Sequence, residues 1–263
     1  MAFAQEMRVL SRNLLARMIR PHPLGWPNAS VLCFHDICQH RPSDIFSVEI
    51  GRFKAQLSSV KRMCPHVLGV DSLIGPVIPN CLNVALSFDD GYDSTYTLAA
   101  PILDSLGWPF VVCVTTGFLN RPGYLTESAL RDLATNPLVQ IASHGVSHQS
   151  LVRKSRDNIE EELRVSKLEI ERITGRKTEW LAYPFGHVNG EIKDVARGLG
   201  YIGALGTEGT RVRVPVADLY NIPRLTVCSV DHASDVLAKI RGQHDWIPSA
   251  RQFVRALTVA RRR

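Results

Sequence analysis

Short apolar runs alternate along the chain with longer stretches in which apolar residues recur at helical spacing. The runs predict strands, and the stretches predict helices between them. The predicted strands are 30–35, 83–88, 109–115, 139–143, 180–183, 201–205 and 220–222. The predicted helices are 48–63, 94–106, 126–134, 156–174, 191–199, 234–240 and 250–260. Alternation of this kind is typical of an α/β fold built on a mostly parallel sheet.

No repeat, low-complexity tract or linker divides the chain, and its 263 residues suit one α/β domain. We therefore expect a main domain over residues 30–245. A basic amphipathic extension, residues 1–29, precedes it, and a basic C-terminal helix, residues 246–263, follows it.

The N-terminal extension carries an apolar stripe. As a helix it places Met7, Leu10, Leu14, Leu15 and Met18 on one face, with arginines on the remainder. One interpretation is that the stripe faces the core and the helix caps the domain. The other is that the helix lies on an anionic membrane surface.

The positive charge is concentrated at the two ends of the chain. Of a formal net charge of +6, residues 1–29 carry four arginines and one glutamate, and residues 251–263 carry five arginines and no acid. The middle of the chain is mildly acidic and has no basic stripe interleaved with aromatic residues. This pattern argues against nucleic acid as a partner.

Two further features bear on the compartment. Arginines and Glu6 interrupt every apolar run near the N-terminus, unlike a secretory signal, and no run reaches the length of a membrane-spanning helix. The six cysteines are scattered, without the spacing of a disulfide framework or a zinc finger. We expect buried free thiols and a cytoplasmic protein. If the stripe lies on a membrane, we expect the protein to contact the inner face of that membrane.

Polar residues follow three of the predicted strands at the point where each strand ends. Asp89 and Asp90 follow the second strand, His144 follows the fourth, and Pro184 follows the fifth. The carboxyl ends of parallel strands share one edge, where α/β folds carry their chemistry. Taken alone, the Asp-Asp-Gly sequence fits a turn and a helix cap as well as it fits a site.

His144 and His148 favour the site. Four residues apart on a helical turn, they would present both imidazoles on one face, where they can share a metal ion. Two histidines and one carboxylate leave positions open on a metal such as zinc, and a second carboxylate can serve as the general base of a hydrolase. Surface or helix-capping histidines are the alternative.

Four motifs in order carry a resemblance to a known family: LCFHDI at 32–37, SFDDGY at 87–92, SHGVSHQSL at 143–151 and YPFG at 183–186. Over residues 30–240 the chain resembles the polysaccharide deacetylases, the NodB-homology domains also called carbohydrate esterase family 4. The resemblance implies a distorted (β/α)7-type barrel with one divalent metal ion. It also implies hydrolysis of an N-acetyl group to a free amine and acetate.

The resemblance assigns roles to four residues. Asp89 would be the general base, and Asp90, His144 and His148 would be the metal ligands. This ligand set suits Zn²⁺ best, and Co²⁺, Ni²⁺ and Fe²⁺ tolerate the same ligands.

The segment after the fifth strand would contact the substrate. Tyr183, Pro184 and Phe185 match the family there, and the backbone amide of Phe185 would help to hold the oxyanion. The family usually has an arginine shortly before this proline, and this chain has none. Arg224, in the sequence NIPRL, is the candidate to supply that cation, and an ordinary surface arginine is the alternative.

The proton donor is a second departure from the family pattern, since the chain has no clean copy of its Leu-x-His motif. His35 and His232 are the two candidates. His35 is the stronger because it ends the first strand at the same edge as the other site residues.

These features predict a carbohydrate N-deacetylase acting on an intracellular nucleotide- or lipid-linked glycan precursor. Two alternatives stay open. One is hydrolysis of another amide by the same centre, as in a deformylase or a cyclic imide hydrolase. The other is an inactive sugar-binding domain, which the four filled positions disfavour.

Overall fold

The structure is a computed structural model, and it describes residues 2–19, 28–40, 42–63, 66–75 and 81–246. Its strands are β1 Asn28–Phe34, β2 Asp36–Cys38, β3 Ser47–Glu49, β4 His66–Leu68, β5 Asn83–Phe88, β6 Phe110–Val114, β7 Val139–Ser143, β8 Trp180–Ala182, β9 Gly203–Leu205, β10 Val212–Arg213 and β11 Leu225–Thr226. Its α-helices are α1 Ala2–Arg17, α2 Ile50–Met63, α3 Ala100–Leu106, α4 Glu127–Thr135, α5 Arg156–Thr174, α6 Gly190–Gly198 and α7 Ala233–Ile240. Residues 247–263, which include the helix predicted at 250–260, lie outside the described part.

The central sheet is parallel and curled. Strands β1, β5, β6, β7, β8 and β9 lie side by side in that order, and each neighbouring pair is parallel. A short segment links the two ends of this row, because Ile222 bridges to Leu205 of β9 and β11 pairs with β1. The prediction of a distorted α/β barrel is confirmed.

Side chains of each strand alternate between the interior of the barrel and the surrounding helices. From β1, Val31 joins the interior cluster that contains Trp180. Leu32 and Phe34 point the other way, and the Phe34 ring meets that of Phe53 on α2 at 5.2 Å. The sheet is therefore buried on both faces, as its nearly continuous apolar strands require.

Most long elements agree with the sequence predictions. β5, β7 and α5 have the predicted bounds, and α5 ends at Gly175, which takes a left-handed φ of 67°. The helix predicted at 94–106 is interrupted: a π-helical turn, Thr95–Ala99, precedes α3. The strand predicted at 220–222 is wrong, because only Ile222 pairs there.

Helix α1 is present, but its apolar stripe does not face the core. The helix packs on the domain through Asn13 and Ala16, which are buried, whereas the stripe is exposed along its whole length. Asn13 is held there by Asp231, whose carboxylate accepts from its Nδ2 at 2.7 Å. The interpretation in which the stripe caps the core is therefore wrong. Among the described helices, none is both long and apolar enough to cross a bilayer.

Candidate active site and metal centre

The turn after β5 directs two carboxylates to one side of the sheet edge. The Asp89 N–H donates to the Phe34 carbonyl at 2.9 Å, which continues the pairing with β1 for one residue. Asp90 and Gly91 then take left-handed φ values of 70° and 78°. Such a conformation is available to glycine and tolerated by aspartate, so this sequence suits the reversal. Both carboxylates are buried.

His144 and His148 come together through a loop. The His144 N–H donates to the Val114 carbonyl at 2.8 Å, and the chain then turns through left-handed Gly145 and His148. The two rings lie 5.1 Å apart between centroids. The prediction of a helical turn is wrong, because the loop is irregular, but the two imidazoles still meet.

One oxygen and two nitrogens converge on a single point. Asp90 Oδ1 lies 3.4 Å from His144 Nε2 and 3.1 Å from His148 Nε2. No well-aligned hydrogen bond reaches this buried oxygen within the described residues. Lone pairs that face one another in this way are favourable only around a proton or a cation. The three residues thus fit a metal ion that leaves coordination positions free.

The orientation of His144 supports this fit. Its Nδ1 lies 2.8 Å from the carbonyl oxygen of Ala182, at the end of β8. In the neutral ring Nδ1 therefore carries the hydrogen and donates it, which leaves the Nε2 lone pair directed at Asp90. Burial disfavours the charged ring, but the nearby carboxylates outweigh it and raise the pKa of His144.

Arg224 is completely buried and pairs with Asp89. Its two terminal nitrogens lie 2.6 and 2.8 Å from the two Asp89 oxygens, and its other contacts are the Gly206 carbonyl at 2.8 Å and the Ser87 hydroxyl at 3.1 Å. Burial alone raises the pKa of Asp89, but the guanidinium outweighs it and holds that pKa below its usual range. Asp89 is therefore a carboxylate at neutral pH, and Arg224 is not a surface residue.

His35 lies on the other side of Asp89. Its ring lies 4.9 Å from that of Phe46 in a tilted arrangement, and its buried Nδ1 has no hydrogen-bond partner among the described residues. Burial lowers the pKa of His35 even though carboxylates lie nearby, so the ring is neutral. His232 is placed elsewhere: it is exposed at the start of α7, where its N–H donates to Asp235.

A second group of potential ligands is less suited to a metal. Cys33, His35 and Asp89 place one ligand atom each within 4.8 Å of one another. Both Asp89 oxygens already accept from Arg224, and burial raises the pKa of the Cys33 thiol, which therefore stays protonated. We assign the cation to the group that contains Asp90.

The segment after β8 contributes one exposed side chain. Tyr183 does not face the cleft, because its ring lies in a core cluster and its hydroxyl donates to the Tyr220 carbonyl. Pro184 is also buried. Neither side chain is exposed beside the ligands, and the contacts predicted for them with a substrate stay a prediction. Phe185 is exposed at a left-handed φ of 61°, with its ring 4.8 Å from that of His148.

Aromatic rings beside His148 form a wall that the sequence analysis missed. The Phe118 ring lies 5.9 Å from His148 and 4.8 Å from Tyr124, which stacks on Tyr92 at 4.9 Å. Aromatic faces of this kind commonly line ligand clefts. The clue in the sequence was weak, since Phe118 and Tyr124 come from the loop after β6 and Tyr92 comes from the loop after β5.

Glu162 was also missed, because it belongs to a helix with the charge pattern of a solvated surface. Its carboxylate accepts from the backbone N–H groups of Val146 and Ser147, both at 3.0 Å, and from the Ser147 hydroxyl. Lys154 donates to the same carboxylate at 3.3 Å. Glu162 therefore holds the loop that ends at His148.

The substitution Glu162→Gln is expected to raise the dissociation constant for Co²⁺ about 10- to 100-fold. This is the usual effect of removing hydrogen bonds that orient a metal ligand. An amide cannot accept from all of these donors. Competition with a chromophoric chelator measures the constant. Glu161→Gln is the matched control, since Glu161 is exposed and pairs only with Arg164 among the ion pairs described. Equal affinities in the two variants would contradict the role of Glu162.

Comparison with known proteins identifies relatives along half of the chain. The family model for polysaccharide deacetylase matches residues 78–204. YxkH of Bacillus subtilis, whose name assigns it to the polysaccharide deacetylases, is 27% identical over 48% of this chain and 44% of its own length. The poly-beta-1,6-N-acetyl-D-glucosamine N-deacetylase of Escherichia coli is 33% identical over 23% of this chain and 11% of its own length. The chain thus spans less than half of each relative.

Solved structures share the fold over most of the chain. The deacetylase PplD of Streptococcus pyogenes, in complex with acetate, has a TM-score of 0.72 at 21% identity, over 84% of this chain and 99% of its own. The de-N-acetylase of Aggregatibacter actinomycetemcomitans has a TM-score of 0.71 at 18% identity, over 81% and 99%. At these identities the likeness establishes the fold alone. Residues 78–204, which contain the turn after β5, the loop with His144 and His148 and the segment after β8, match the polysaccharide deacetylase family.

Proposed function

We propose that the protein is a metal-dependent hydrolase that removes the N-acetyl group from a sugar. The observation that carries the proposal is the convergence of Asp90, His144 and His148 on one point beside the ionised Asp89. A divalent metal held by the three ligands would acidify water and polarise the acetyl carbonyl. The ligand set suits Zn²⁺ best, with Co²⁺, Ni²⁺ and Fe²⁺ as alternatives.

Asp89 is the proposed general base. Its Oδ2 lies 3.9 Å from His144 Nε2, so it borders the point at which the ligand atoms converge. The bidentate contact with Arg224 fixes the plane of its carboxylate and keeps it ionised. A fixed acceptor beside the attacking water removes the cost of orienting a base during the reaction.

His35 is the proposed carrier of the proton to the leaving amine. Its ring is neutral, and one ligand atom of His35 and one of Asp89 lie within 4.8 Å. The proton taken from water by Asp89 can pass to the ring and then to the amine nitrogen as the C–N bond breaks. The backbone N–H of Phe185 is the proposed donor to the oxyanion that develops on the acetyl oxygen.

The proposed substrate is an intracellular, nucleotide- or lipid-linked glycan precursor, and the proposed location is the cytoplasm. All five cysteines in the described part of the chain are free, which fits a reducing compartment. The E. coli relative is named for deacetylating a polymer of N-acetyl-D-glucosamine. A formamide or cyclic imide substrate would fit the same centre, and the acid released, formate or a ring-opened acid in place of acetate, distinguishes these cases.

Metal removal is expected to abolish acetate release from an N-acetylated sugar. Dialysis against dipicolinate followed by an acetate assay tests this, and Zn²⁺ or Co²⁺ should restore the activity. Full activity in the metal-free protein would overturn the assignment of a metal hydrolase. Sugar binding without any hydrolysis in the metal-loaded protein would identify an inactive binding domain.

Asp89→Asn is expected to lower kcat about 10²- to 10⁴-fold, the range that a general base contributes. Asparagine keeps a carbonyl oxygen for Arg224, so the substitution removes the acceptor charge with little change of shape. Asp93→Asn, at an exposed position four residues further on, is the control. Circular dichroism establishes that both variants fold. Unchanged kcat in a folded Asp89→Asn protein would exclude Asp89 as the base.

His35→Gln is expected to lower kcat about 10²-fold or more, whereas His232→Gln should leave it unchanged. The two substitutions are chemically identical and differ only in position. The acetate assay, run across a pH series, reports both values. The reverse order of effects would transfer the role of proton carrier to His232.

A further inference from the structure

Among the described residues, no element covers the apolar face on the outer side of helix α1. The side chains of this face are large and exposed: Met7 46%, Leu10 42%, Leu14 64%, Leu15 51% and Met18 79%. They lie opposite the buried Asn13 and Ala16 on the helix, since successive residues advance by about 100°. The exposed residues therefore form one continuous stripe that points away from the domain.

The stripe is held in this orientation by polar contacts. Asn13 donates to Asp231 at 2.7 Å, and the Arg17 guanidinium donates to Asp235 at 2.8 Å. Asp231 is fully buried and also pairs with the Lys239 ammonium. Burying the apolar stripe against the domain would require these contacts to break. The polar contacts therefore keep the opposite face of the helix packed on the domain.

The helix lies at the same edge of the domain as the candidate active site. Val9, Arg12 and Asn13 share a small cavity with the loop that contains Thr207 and Gly209. That loop also touches the site: the Thr207 hydroxyl donates to the Phe185 carbonyl at 3.1 Å. The inner face of α1 is therefore connected through this loop to the segment that carries Phe185.

Charge indicates what covers the stripe. Residues 1–29 carry four arginines against one glutamate, and residues 251–263 add five arginines and no acid. Arg8 is exposed on the helix beside the stripe. Two copies of this positively charged segment would repel one another, whereas a surface of anionic lipids would attract it.

We propose that the exposed face of α1 docks on an anionic lipid bilayer, with the helix lying in the plane of the headgroups. Docking would bring the domain, and the candidate site with it, to the membrane surface. The docking itself is independent of the reaction. The selection of a lipid-linked sugar in preference to a nucleotide-linked one rests on the proposed deacetylase function.

Vesicle sedimentation of the full chain tests the proposal. The protein is expected to sediment with vesicles of phosphatidylglycerol and phosphatidylcholine, and much less with phosphatidylcholine alone or at high salt. Leu14→Glu combined with Met18→Glu should lower the partition coefficient at least tenfold. Both side chains are exposed, so the domain should stay folded. Leu168→Glu, at a 50% exposed leucine on α5, is the matched control and should bind as the wild type does.

Three results would overturn the docking proposal: no binding of the wild type to anionic vesicles, equal binding by the double variant, or equal loss in the Leu168 control. A change from dimer to monomer in the double variant, without vesicle binding by the wild type, would show a self-association surface instead. Acetate release from a water-soluble N-acetylated sugar should be the same in the wild type and the double variant. Absence of that activity from both proteins would refute the proposed reaction and leave the docking result intact.

Discussion

The buried ion pair between Arg224 and Asp89 connects the segment that closes the sheet with a residue of the candidate active site. Arg224 belongs to the segment that links β9 to β1, and Asp89 belongs to the turn after β5 in the middle of the sheet. Neither charge is exposed to water, so each depends on the other for its stability. Removing one partner of such a pair typically costs about 3–5 kcal/mol, because the remaining charge is buried alone. The geometry that closes the barrel is therefore also the geometry that orients Asp89, the proposed base.

The remaining site residues depend on that arrangement. Asp90 follows Asp89 in the same turn, so that one turn directs Asp89 towards Arg224 and Asp90 towards His144 and His148. The histidine loop has its own support from the backbone of β6 and from Glu162. Two separately braced loops thus meet over the carboxyl end of one sheet, which keeps mutually repelling groups in place around a shared point.

Sequence patterns predicted the strands that are long enough to show a pattern. β5 and β7 are mainly apolar runs followed directly by a polar residue, Asp89 or His144, and their bounds were predicted to the residue. The shorter strands β2, β3, β4, β10 and β11 have two or three residues each, too few for any periodicity to appear. The spacing of His144 and His148 suggested a helix, but the left-handed Gly145 and His148 produce a loop that no period describes.

Contacts between distant parts of the chain could not be predicted in the same way. The sequence left two roles open for Arg224, a partner of the base and a surface arginine. Its burial depends on which strand lies next to β1, and no local pattern reports that. The stripe of α1 was correctly predicted as one face of a helix. Its exposure depends on Asn13 finding Asp231, which is 218 residues away. A buried asparagine beside a buried aspartate reverses the usual rule that the apolar face turns inward.

The separation along the chain between Asp89 and Arg224 has a consequence for biosynthesis. All three candidate ligands have left the ribosome once residue 148 has emerged, whereas the guanidinium that orients Asp89, the proposed base, lies 135 residues after it in the chain and follows later. Chains are made from the N-terminus, and early segments begin to organise first. The nascent protein therefore contains its candidate metal ligands before Arg224 is available to orient the proposed base. A chain truncated between residues 148 and 224 would retain the three candidate ligands. It would lack Arg224, the partner that fixes the carboxylate of Asp89.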